Sequence, residues 1–137
     1  MNTFTFAQKM NLQPGDVVIV PKSNLKIVRH YMIFEGVNHF GQECYLENNN
    51  YYGVRRITGE TFTQENPTYF EVRRFVGNEN QRYWAIHRAQ SLIGRSYNLL
   101  TFNCEHYANH VQYNKDISPQ VAISSIAATV LLILCCI

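Results

Sequence analysis

Polar and apolar positions follow a regular succession along this chain of 137 residues. The Pro14-Gly15 turn leads into DVVIVP (16–21), whose β-branched run predicts a strand. In VRHYMIFEG (28–36) the residues alternate, so His30, Met32 and Phe34 share one face and Tyr31, Ile33 and Glu35 the other. ECYLEN (43–48) and TYFEVRRFV (68–76) read as further strands, with a short one at GVRRIT (53–58). The period then changes. Between Glu79 and Ile93, Ala85, Ala89 and Leu92 recur at helical spacing beside Ile86 and Ile93, and Gly94 ends the pattern as a C-cap. Asn103 is an N-cap for a second helix, CEHYANHVQY (104–113), in which Cys104, Ala108 and Val111 line up on one side.

The last stretch breaks this rhythm, because no charged residue follows Asp116. A boundary near Ser118-Pro119 divides a domain (1–117) from a hydrophobic tail (118–137). As a helix, VAISSIAATVLLILCCI (121–137) would extend roughly 25 Å, slightly less than the ~30 Å of a bilayer core. Without a polar face it needs lipid or a large protein around it, and a membrane anchor is expected rather than a last core helix. With Ile137 ending the chain, the anchored domain is expected on the cytosolic side. Cys135 and Cys136 are candidates for palmitoylation, whereas Leu134 occupies the position where a prenylation box needs cysteine.

Composition narrows the classes. The length fits one domain with its own core, and the net charge of +2 is close to neutral. Arg55-Arg56, Arg73-Arg74 and Arg82 are dispersed, whereas a nucleic-acid partner calls for a concentrated basic face. The cysteines are Cys44, Cys104, Cys135 and Cys136, and no pair has CxxC spacing, so neither a metal site nor a cofactor is expected. The opening MNTFTFAQKM lacks the apolar core of a secretion signal, and free thiols in a reducing compartment are expected.

One thiol stands in a chemically useful place. Cys104 takes the first position of its helix, where unpaired N–H groups and the dipole favour a thiolate and lower its pKa below ~8.5. A nucleophilic thiolate also needs an imidazole to take and return a proton. His106 lies two positions on, roughly 160° around the helix, and His110 about a turn and a half on. His87 falls on the polar side of its helix, and His39 in a turn between strands. His30 projects from an interior strand on an otherwise apolar face. Such a residue is by default a satisfied core histidine, and the helix-capping cysteine in the same small domain shifts the reading towards catalysis.

RHYMIFEG followed by SYNLLTFNCEHYANHVQYN resembles the lecithin retinol acyltransferase-like proteins, the H-box/NCEHF family of the NlpC/P60 superfamily, and especially their small phospholipase A/acyltransferase members. The resemblance runs from Pro14 to about Ile117 and takes in the opening PGD and the position of the apolar tail. It implies an α+β, permuted papain-like fold, with an antiparallel sheet packed against helices and histidine preceding cysteine. It further implies thioester chemistry on a glycerophospholipid, Cys104 as nucleophile and His30 as general base and acid. The acyl group would pass to water, an amine or a lysolipid. Where the family has a second histidine that orients the first, the register here lands on Tyr45, after an apparent insertion around VNHF, with Glu47 as the alternate. Two other readings use the same residues: a membrane-tethered interaction module without catalysis, as in viral proteins with an H-box and NC motif, and a cysteine peptidase or amidase. The latter usually places cysteine before histidine in the chain.

Overall fold

A computed structural model of the protein describes residues 4–21, 29–64 and 70–115. Five strands, β1 (Val17–Pro21), β2 (Arg29–Val37), β3 (Glu43–Asn49), β4 (Gly53–Thr58) and β5 (Glu71–Arg73), form one sheet in the order β4-β3-β2-β1-β5. Every neighbouring pair is antiparallel. Four helices complete the described residues: α1 (Phe6–Met10), α2 (Gly59–Gln64), α3 (Glu79–Ser91) and α4 (Cys104–Tyr113). This is the α+β architecture expected, an antiparallel sheet packed against helices. The tail expected at 118–137 lies outside the described residues. Among them, no helix is long and apolar enough to cross a membrane.

Strand alternation sends two sets of side chains into two clusters. Val17, Ile19, Tyr31, Ile33 and Leu46 pack with Ala85 and Ala89 of α3 and with Cys104, Tyr107, Ala108 and Val111 of α4. Val18, Met32, Phe34, Tyr45 and Ile57 pack with Ala7 of α1 and Phe62 of α2. Full burial of a side chain such as Val111 is worth roughly 1.5–3 kcal/mol, so the apolar stripe of α4 ties that helix firmly to the sheet.

The PGD turn has a structural task. Gly15 holds φ +94 and donates its N–H to the Phe34 carbonyl (2.8 Å). The buried carboxylate of Asp16 accepts from the Gln13 N–H (2.9 Å), the Phe75 N–H (2.9 Å) and Arg74 Nη1 (3.0 Å). This hub ends β5 early. The pattern of 68–76 predicts a longer strand, but Arg74 and Phe75 turn away from β1 to reach Asp16.

Two short helices escape the hydrophobic period. α1 spans five residues, and its start is marked by a reciprocal cap in which Thr5 accepts from the Gln8 N–H and Gln8 accepts from the Thr5 N–H. α2 spans six and follows β4 directly, fixed by the insertion of Phe62 into the second cluster. α3 ends at Ser91 with Leu92 as its C-cap, two residues before the glycine expected there; Gly94 follows with φ +92.

Candidate functional site

The site is built where the start of α4 meets the start of β2. Asn103 caps α4 as expected: its Oδ1 accepts from the N–H groups of Glu105 (2.9 Å) and His106 (3.0 Å), and its own N–H donates to His106 Nδ1 (3.2 Å). His106 is thus spent on the cap. The Asn103 amide also donates to the Leu99 carbonyl (3.1 Å), and Asn48 of β3 donates to the Phe102 carbonyl (2.8 Å). These bonds locate the residue that follows, Cys104, which is buried with its Sγ 3.7 Å from the Arg29 carbonyl oxygen. Arg29 immediately precedes His30, so the contact brings thiol and imidazole together.

His30 is buried, and its Nε2 donates to Glu47 Oε2 over 2.6 Å. Cys104 lies close enough to the same ring to influence its charge. The other ring nitrogen, Nδ1, is buried and has no hydrogen-bond partner among the described residues. Desolvation is the largest single influence on the ring and disfavours its charge. The interactions with Cys104 and Glu47, joined by the charges of both, outweigh it and raise the His30 pKa from 6.5 to about 9.

Glu47 is almost wholly buried and fully engaged. Its second oxygen, Oε1, accepts from Arg55 Nε at 2.8 Å and lies 3.5 Å from the Asn49 amide. Burial pushes its pKa up, but the bond to His30, the charge of His30 and then the Arg55 guanidinium hold it below the ordinary carboxylate value. Arg55 lies 4.4 Å from the centroid of the Tyr52 ring, so the carboxylate is backed by a stacked cation. Beside the thiol stands Tyr97, whose hydroxyl is pushed up by burial and by the charge of Cys104.

Tyr45 stands apart from this cluster, contrary to the register expected. It pairs with Phe34, four residues along β2 from His30, whereas Glu47 pairs with Met32 and lies diagonal to His30. The Tyr45 ring stacks on Phe62 at 4.8 Å, and its hydroxyl donates to Glu43 Oε2 (3.2 Å). Burial, with the charge of Glu43, drives its pKa far upward. A β-bulge between Phe34 and Gly36 shifts the pairing by one residue between the hairpin turn and the site, which sets Glu47 opposite Met32 and so on the face of His30.

The remaining histidines are elsewhere. His39 sits in the β2–β3 turn against Phe40 (3.9 Å between centroids), and His87, on the exposed side of α3, lies 3.0 Å from the Tyr83 hydroxyl. His110 is half-buried in the last turn of α4. Among the described residues, no group of three or more His, Cys, Asp or Glu side chains is arranged to hold a metal ion.

A family model, lecithin retinol acyltransferase, matches residues 10–117. The chain belongs to this family. The match begins within α1 and runs past the end of α4, so it contains the whole sheet and both partners of the Cys104–His30 contact. No curated protein matches the chain.

Proposed function

We propose that the protein is a cysteine-dependent phospholipase A/acyltransferase acting on glycerophospholipids through an acyl thioester on Cys104, in a permuted papain-like arrangement with His30 ahead of Cys104. The observation that carries this reading is the placement of His30, with the Cys104 thiol against the carbonyl of the preceding residue (3.7 Å) and Glu47 clamping the ring at 2.6 Å. Membership of the lecithin retinol acyltransferase family supports acyl-transfer chemistry as the class.

In the proposed reaction the thiol proton moves to His30 and the thiolate attacks the ester carbonyl carbon. As the tetrahedral intermediate collapses, the imidazolium gives its proton to the departing lysolipid oxygen and the acyl group stays on sulfur. His30, neutral again, takes a proton from water, an amine or a lysolipid hydroxyl as that acceptor attacks the thioester. Cys104 leaves as thiolate and recovers the proton. Glu47 stabilises each imidazolium state and fixes which ring nitrogen faces sulfur.

The hydrophobic tail at 121–137 serves in this proposal as a membrane anchor that keeps the domain beside its substrate on the cytosolic side. The deciding experiment is incubation of the full chain with phospholipid vesicles, followed by mass spectrometry of the Cys104 peptide. An acyl adduct released by hydroxylamine is expected. Absence of adduct and of lysolipid would turn the reading towards a non-catalytic membrane-tethered module.

A further inference from the structure

Two turns beside the candidate site present large apolar side chains to solvent. The β3–β4 turn carries Tyr51 and Tyr52, 85% and 68% exposed, and the turn before α4 carries Leu99 and Leu100, 66% and 64% exposed. The turns are joined to each other. Val54 N–H donates to the Arg95 carbonyl and Gly94 N–H to the Val54 carbonyl, both at 2.9 Å, and Asn48 reaches Phe102 as described above. The leucine turn is also stiff: Asn98 Oδ1 accepts from the N–H groups of Leu100 and Thr101 at 3.0 Å each, while Asn98 and Phe102 exchange both backbone bonds at 2.9 Å. Through the Leu99 carbonyl this turn is bonded to Asn103, the cap of the Cys104 helix.

Charge completes the pattern. Neither 48–56 nor 92–103 contains Asp or Glu, while the two stretches hold Arg55, Arg56 and Arg95. Arg56 pairs with Glu35 and Arg55 with Glu47. Arg95 is exposed and lies 3.7 Å over the Phe102 ring, with no carboxylate partner among the described residues.

We propose that these two turns form a docking surface for a bilayer containing anionic phospholipid. Leu99 and Leu100 enter the acyl region, Tyr51 and Tyr52 lie at headgroup level, and Arg95 meets a lipid phosphate. The choice of a lipid surface rests on the phospholipase/acyltransferase reading, because an ester just beneath the headgroups is what the docked turns would bring to Cys104. Unlike the tail, which only tethers, this face sets the orientation of the domain.

The test uses the full chain reconstituted into vesicles, with the natural tryptophan removed and a reporter added (Trp84→Phe with Leu100→Trp). Phospholipids with brominated acyl chains should strongly quench the reporter when anionic lipid is present. Arg95→Ala should lower the ratio of docked to undocked protein, read from the quenching, by about fivefold, as for one basic residue lost near a charged bilayer. In the wild-type tryptophan background, Leu100→Ser should lower turnover on vesicles by about tenfold or more, the scale of one leucine side chain withdrawn from lipid, and leave monomeric short-chain ester unaffected. An unquenched reporter in a protein that hydrolyses vesicles would overturn the docking surface and leave the proposed activity standing. Quenching without ester cleavage would do the reverse. Equal quenching in purely zwitterionic vesicles would overturn the anionic preference.

Discussion

Glu47 Oε2 lies 2.6 Å from His30 Nε2, although the two residues are not cross-strand partners: Met32 faces Glu47, and the bond to His30 runs along the diagonal. Diagonal neighbours on one face of a sheet stand about 7–8 Å apart at the backbone, within reach of a glutamate meeting an imidazole. In the proposed mechanism the orienting position therefore falls to Glu47, while Tyr45 packs in the core.

Glu47→Gln keeps the shape and removes the charge that steadies imidazolium, and turnover should fall by about 100-fold or more. Tyr45→Phe loses only the hydroxyl bond to Glu43 and should cost about 1 kcal/mol of stability with little change in turnover. Steady-state kinetics of both variants checks the order; equal losses would contradict the assignment.

Much of this site was legible in the sequence. The N-cap of Asn103 and the stripe of Cys104, Ala108 and Val111 announce α4 to the residue, and alternation places His30 in an interior strand. The identity of the partner of His30 was hidden because it depends on register, and one extra residue at the Phe34/Gly36 bulge shifts the pairing without leaving a mark in the hydrophobic pattern. α1 was concealed for a different reason: five residues are too few to show a helical period, although the Thr5-to-Gln8 spacing of its capping box was there to be read. The role of Arg55 behind Glu47 was not legible, since an arginine on a strand reads as a solvated side chain until the neighbouring strand is in place.

Cys104→Ala and His30→Ala should each abolish turnover to a similar degree, and the double variant should be no worse than either, because groups that act as one unit fail together. His106→Ala should act differently. It removes the acceptor of the Asn103 N–H and so weakens the cap by about 0.5–2 kcal/mol, with a smaller effect on chemistry. Activity assays paired with melting curves separate these outcomes.

The titration of His30 sets a pH window. Its pKa is higher folded (about 9) than unfolded (6.5), so its stabilisation is fully present below pH 6.5 and is lost as pH rises through 9. Glu47 has the opposite sign: its lowered pKa contributes stability above the ordinary 4.5, which is lost as pH falls through the folded value. Both contributions coexist fully between pH 4.5 and 6.5. A rise from 6.5 to about 9 corresponds to roughly 3 kcal/mol, so the stability gap between wild type and His30→Gln should narrow by that order between pH 6.5 and 9. Chemical denaturation across this range measures it.

Thiol reactivity should separate the two cysteines of the domain. Burial, and then the charge of Glu35, push the Cys44 thiol up. Cys104 has an imidazolium partner and a helix N-terminus, both of which favour thiolate. Iodoacetamide at pH 7 should alkylate Cys104 well before Cys44, as read by peptide mass spectrometry, and the advantage should shrink in His30→Ala. A slow Cys104 would remove the nucleophile from the proposed reaction.

Gly53 connects the sheet to the loop that delivers Cys104. It holds φ +70, and a Cβ there would stand 2.3 Å from the Arg95 carbonyl oxygen, the same oxygen that accepts the Val54 N–H. Gly41 has a similar φ of +79 but nothing within 4 Å of a Cβ. Gly41→Ala should therefore cost the conformational strain alone, about 1 kcal/mol. Gly53→Ala adds a clash with backbone and should cost at least about 1–3 kcal/mol. Relief requires the 94–102 segment to move, and that segment carries the Leu99 and Phe102 carbonyls whose bonds to Asn103 and Asn48 seat Cys104. Turnover should fall in Gly53→Ala even below its melting temperature and stay at the wild-type level in Gly41→Ala. Equal behaviour of the two variants would mean that the Gly53–Arg95 contact does not position the thiol.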